Sequence, residues 1–166
     1  MTTHYFQYIP RRNRAKGLVP AIRRSSKRFK TAVVEGDDKK QKAASKAAWT
    51  AMTQLFEILR GEQDTGNLAD APMNVDTGFV AKNISSDERA SMLSLKKIER
   101  ARSTALGLRD ALNKIAHYEQ AEFRVDGRNA HYLLLAGTHH GKHWVAEILV
   151  SKLCKNAAAA IQAIAG

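Results

Sequence analysis

Between Lys39 and Arg60 the apolar residues Ala44, Ala48, Ala51, Met52, Leu55, Ile58 and Leu59 return at the spacing of helical turns. This period predicts an amphipathic helix, capped by Asp37 or Asp38 and stopped at Gly61. Small residues early and large ones late let its first half approach another helix closely, and Trp49 and Phe56 read as core. Over 62–84 the period is lost. Asp64-Thr65-Gly66-Asn67, Asp70-Ala71-Pro72 and Asp76-Thr77-Gly78 are turn clusters around single apolar anchors, which predicts a long connecting loop. Ser85 with Glu88 has the form of a capping box, and the helix it opens is expected to reach about Tyr118. Along it Ile98, Ala101, Ala105, Leu108, Leu112 and Ile115 alternate steps of three and four, a heptad seam that must pair with something. The two candidates are the 39–60 helix, in a helical hairpin, and a second copy of the chain, in a homo-oligomer through the 98–115 face.

Past Gln120 the period shortens. Phe123 and Val125, the Asp126-Gly127 pair, and the run from His131 to Leu135 predict a β-hairpin. Residues 143–150 alternate well enough for a third strand yet fit the start of a helix equally, while 151–165 is helical by its alanine content. The expected fold is mainly α, of the α+β class. It comprises a helical hairpin or small bundle, a short antiparallel β-hairpin or three-stranded meander near the C-terminus, and a final helix. A basic N-terminal arm at 1–36 precedes this helix-rich domain at 37–166.

A helix, strands and a final helix carrying Ser151-Lys152-Leu153-Cys154-Lys155-Asn156-Ala157-Ala158-Ala159 resembles the order found in a double-stranded RNA-binding domain. The resemblance covers about half of the chain; its lysines are one residue closer than in that family, and the glycine expected before the helix is missing. What it implies is phosphate contact by Lys152 and Lys155.

Charge changes the picture most. The formal net charge is +11, and residues 1–34 hold nine of the basic residues, Arg11, Arg12, Arg14, Lys16, Arg23, Arg24, Lys27, Arg28 and Lys30, with no acid. The remaining residues are nearly neutral. Charge spread evenly aids solubility, whereas charge concentrated in a short segment attracts phosphates and displaces their counterions. Tyr5, Phe6 and Tyr8 stand beside the first arginines, where rings can stack on unpaired bases or simply anchor the terminus as apolar contacts. Pro20 stands where a helix can start, with Leu18, Ile22 and Phe29 near one side of it.

Other chemistry is thinly represented. His139, His143 and Glu147 would share one face if 139–147 were helical, the only metal-ligand spacing in the chain, but Gly141 argues against that helix. P-loop, GxGxxG and GxSxG patterns are missing, and the single cysteine, Cys154, has no evident activating partner. The expected function is noncatalytic nucleic-acid binding by the basic arm, without a cofactor, in a protein of phage, viral or plasmid type. The alternatives are a capsid, nucleocapsid or assembly subunit whose arm packages a genome, and a metal-dependent nuclease using His139 and His143. No segment has the length of apolar residues a membrane span needs, so a cytoplasmic or nucleoid-associated location, or a virion, is expected rather than secretion.

Overall fold

The computed structural model describes residues 11–165. It is a mixed helix and sheet structure, 59% helical and 23% strand. Its elements in chain order are α1 (Arg11–Glu35), α2 (Asp38–Asp64), α3 (Asp70–Met73), β1 (Asp76–Ile84), α4 (Ser86–Leu95), a 3-10 turn (Arg100–Arg102), β2 (Thr104–Gly107), α5 (Leu108–Ala116), β3 (Gln120–Val125), β4 (His131–His139), β5 (Lys142–Leu149) and α6 (Val150–Ala163). The strands form one antiparallel sheet in the order β2-β1-β5-β4-β3.

The sheet is buried on both faces, unequally. Val80, Leu133, Leu135, Trp144, Ala146 and Ile148 point to the side covered by α1, α2, α5 and α6, which holds the main core. Ala81, Leu134, Ala136 and Val145 point to the other, where α4 and Ile98 close a smaller cluster around Met92. Because β1 and β5 are covered on both sides, alternation of polar and apolar positions largely disappears from them. Gly78 in β1 has a specific role: a Cβ there would sit 2.5 Å from the Glu147 carbonyl oxygen, so only glycine lets β5 approach.

Several expectations change. The 62–84 segment is not a loop: α2 runs on to Asp64, and Asp76–Ile84 is strand β1, placed between β2 and β5. The 85–118 helix is not continuous. Its capping box is present, with Ser85 and Glu88 bonded reciprocally, but α4 ends at Lys96 in the left-handed conformation and α5 starts only after Gly107. The heptad residues are therefore dispersed. Ile98, Leu108, Leu112 and Ile115 are buried inside the chain's own core, so 98–115 offers no face for a second copy. The helical hairpin forms between α1 and α2 instead. Residues 143–150 resolve as strand through Leu149, followed by the final helix. The order α5-β3-β4-β5-α6 is the order of elements named in the double-stranded RNA-binding resemblance, with β1 and β2 extending the sheet past β5.

The β3–β4 turn shows how local chemistry fixes register. Asp126 Oδ1 accepts from the amides of Arg128 and Ala130, both at 2.9 Å, and its carbonyl accepts from Asn129 N–H at 2.9 Å. The left-handed residue is Asn129, with φ 62°, and not Gly127. This matches the longer hairpin loop built on a type I turn, where asparagine tolerates positive φ.

Candidate nucleic-acid interface

The basic segment is helical from Arg11 to Glu35 and runs through Pro20, where a helix start was expected. Proline inside a helix removes one backbone donor; here the carbonyl left without it is that of Lys16, and Lys16 and Pro20 are both exposed, so water can satisfy it. What holds α1 in place is its buried side: Ala15, Val19, Ile22, Phe29 and Ala32 join the core, and Leu18 is half-buried against it. The segment expected as an arm is, over 11–35, a packed part of the body. Gly36 at φ 66° ends it, the Asp37 amide bonds back to the Ala32 carbonyl at 3.0 Å, and the Asp37 carboxylate caps α2 through Lys40 N–H. Gln41 Nε2 donates to the Ala32 carbonyl at 3.3 Å, which ties the antiparallel pair together close to its turn.

Deeper contacts lock α1 to the sheet. His131 stacks on Phe29, with ring centroids 4.7 Å apart, and its Nδ1 lies 2.8 Å from Ser26 Oγ. Burial, assisted by the nearby Lys30 charge, pushes the His131 pKa down to about 4. The imidazole is therefore neutral at ordinary pH, and its Nε2 has no hydrogen-bond partner.

With one side committed to the core, the cations occupy the rest of the helix. Arg14, Lys16, Arg23, Arg24, Lys27 and Arg28 are exposed; Arg12 and Lys30 are half-buried. Two flanks are distinguishable. Arg12 donates to the Gln162 carbonyl at 3.3 Å, Arg23 faces Cys154, and Lys30 donates to the Asn129 carbonyl at 3.2 Å, all toward α6 and the hairpin turn. Arg24, Lys27 and Arg28 line a groove of about 560 Å³ against α2, together with Ala32, Ala43, Ala44 and Ala47, and with Lys40, whose ion-pair partner Glu35 is the one carboxylate among the lining residues. The alanines keep bulky side chains out of the way, so a polyanion can approach the guanidinium groups closely.

Five arginines outside α1 are held in ion pairs, although Lys42, Lys46, Arg60, Arg128, Lys142, Lys152 and Lys155 form none among the described residues. Arg89 with Glu119, Arg102 with Glu88, Arg109 with Asp64, and Arg100 and Arg124 with Glu147 are ion pairs at 2.6 to 3.8 Å. Among the described residues no carboxylate pairs with a cation of α1 from Arg12 to Lys30. Their fixed partners are backbone carbonyls, the Cys154 thiol beside Arg23, or none, which leaves the positive potential open to solvent.

The other sequence candidates are placed as follows. Tyr5, Phe6 and Tyr8 lie outside the described residues, and of Arg11 only the backbone, at the start of α1, is described. Lys152 and Lys155 are exposed on α6, the helix packed beside α1. His139, His143 and Glu147 are not brought together. His139 and His140 are exposed at the β4–β5 turn, and β5 is extended, so the four-residue step from His143 to Glu147 spans roughly 13 Å rather than one helical turn. His143 Nδ1 lies 3.0 Å from Arg89 Nη1. Glu147 is 3% exposed and accepts from the Ile98 amide at 3.0 Å, a bond that pins the turn after α4 to the sheet. Among the described residues no cluster of His, Cys, Asp or Glu suited to a metal ion forms. Cys154 is buried, and that burial raises its thiol pKa. No helix among the described residues is long and apolar enough to cross a membrane. Compared with family models, curated proteins and solved structures, the chain matches none.

Proposed function

We propose that this chain binds nucleic acid without catalysing its chemistry, through phosphate contacts made by the outer side of α1. The observation that carries this reading is that, among the described residues, no carboxylate pairs with the row of α1 cations from Arg12 to Lys30, whereas Arg89, Arg100, Arg102, Arg109 and Arg124 each meet one. Leaving a row of arginines and lysines unneutralised along one helix costs folding stability and favours a polyanionic partner. At 25 residues the helix is about 37 Å long, about the axial rise of one turn of a duplex. Because α1 is anchored by Ile22, Phe29 and the Ser26–His131 contact, the charged surface exists before the ligand arrives. Lys152 and Lys155 are exposed on α6, the helix packed against the other flank of α1, and are secondary candidates for phosphate contact.

The test is a binding panel of single- and double-stranded DNA and RNA, each titrated with salt. Affinity should fall steeply as salt rises for at least one of the four ligands. Affinity that does not change with salt, or no binding to any of the four at low salt, removes the reading.

A further inference from the structure

The sheet has two edges, and they are built differently. β2 closes one side with four residues and passes directly into α5. β3 closes the other with six, and among the described residues β4 is its one strand partner in the sheet. The hairpin turn decides which of its amides that partner uses. Asp126 N–H donates to the Ala130 carbonyl at 3.0 Å, so the backbone of Asp126 points toward β4 and sets the phase of the ladder. Stepping by two along the register to Arg124↔Tyr132 and Glu122↔Leu134, the even-numbered residues of β3 bond to β4. The backbone N–H and C=O groups of Ala121, Phe123 and Val125 therefore point away from the sheet. A row of groups of this kind is a template for another strand.

The edge also borders a groove of about 960 Å³ between α2 and β3, lined by the rings of Trp49, Tyr118 and Phe123, with Lys96 and Glu122 at its rim. Trp49 and Tyr118 meet edge to face at 4.7 Å, so these rings are fixed in position.

We propose that β3 pairs with β3 of a second copy, antiparallel about a two-fold axis at Phe123, so that two sheets join into one. Symmetric pairing that keeps the free amides in phase can be centred on Glu122, Phe123 or Arg124. The first sets Glu122 against itself and the last sets Arg124 against itself, and like charges directly opposite are destabilising. Centred on Phe123, Glu122 lies opposite the partner's Arg124 and the reverse across the axis; within its own chain Glu122 meets Lys96 at 3.8 Å and Arg124 meets Glu147 at 3.5 Å, so the cross-axis attraction adds to these pairs. Ala121 faces the partner's Val125, and the partner's Phe123 adds to the rings of the groove. Charges on an edge strand ordinarily discourage pairing, but the order negative, apolar, positive is complementary to its own reverse about this one centre. The α1 surface takes no part, so the dimer stands or falls separately from nucleic-acid binding.

Light scattering on the full chain, without nucleic acid and over a wide concentration range, should show the mass rising from one chain to two. A121P removes an outward amide and no bond to β4, so it should remain monomeric at all concentrations with unchanged circular dichroism. E122R places an arginine opposite the partner's Arg124 and should weaken the dimer by about tenfold or more. A wild-type chain that stays monomeric throughout, or a dimer that survives A121P, overturns the proposal. If A121P fails to fold, E122R carries the test alone, and unchanged dimer affinity in that variant overturns the pairing.

Discussion

Replacing Arg24, Lys27 and Arg28 with alanine tests the α1 surface where it is most open. All three are exposed and line the groove with its alanines, and none has a carboxylate partner among the described residues, so the change breaks no internal ion pair. Alanine is the strongest helix former, so α1 should persist. Each phosphate neutralised on B-form DNA contributes about −0.9 to the slope of log affinity against log salt concentration. If all three residues touch phosphates, the slope of the variant should be shallower by about 2.7. Between about 50 and about 200 mM salt the wild type should then lose about fortyfold more affinity than the variant. Fluorescence anisotropy with a labelled duplex at a series of salt concentrations measures both slopes. On a single strand the expected difference is smaller, about 2.1, because its charge density is lower. A folded variant with an unchanged slope would refute phosphate contact by these residues and, with it, the leading role given to this flank of α1.

Further outcomes follow from the interior. His131 has its pKa lowered from 6.5 to about 4 by burial, so the unfolded chain takes up a proton first as pH falls; stability should be complete above about 6.5 and decline by about 3 kcal/mol toward pH 4, a decline that His131→Gln should flatten in urea melts. Glu147→Ala leaves the Ile98 amide and the Arg124 guanidinium without their shared acceptor, and should cost about 1.5–3 kcal/mol by the same melts. Gly78→Ala drives a methyl group against the Glu147 carbonyl and should cost about 1–3 kcal/mol, seen as a lower thermal midpoint.

What was legible in the sequence was what depends on neighbours along the chain. The 39–60 helix, the Ser85–Glu88 box, the hairpin around Asp126 and the final alanine-rich helix are each set by residues within a few positions of one another. Strand β1 was missed because its turn-like residues serve the sheet: Gly78 yields space to β5, and Thr77 is buried where Asn156 of α6 donates to its hydroxyl at 3.0 Å. The false heptad arose because Ile98, Leu108, Leu112 and Ile115 keep helical spacing while serving two cores on opposite faces of the sheet. At the candidate site the cations were readable from the absence of acids. Their incorporation into the body was obscured because Ala15, Val19, Ile22, Phe29 and Ala32 are a thin apolar line among charges, and their partners lie far away in α2, α6 and β4. The role of Glu147 depends on Ile98, Arg100 and Arg124, which come from segments that no local pattern connects.

The α1 helix carries an internal tension. Arg12 with Lys16, Arg23 with Lys27 and Arg24 with Arg28 are like charges one turn apart, and each such pair opposes the helix by about 0.2–0.5 kcal/mol. Its apolar side restrains that repulsion by holding the segment against α2 and α6. An anion settling over the row therefore relieves a load the native state already bears, so occupancy of this surface and the firmness of the whole domain should rise together.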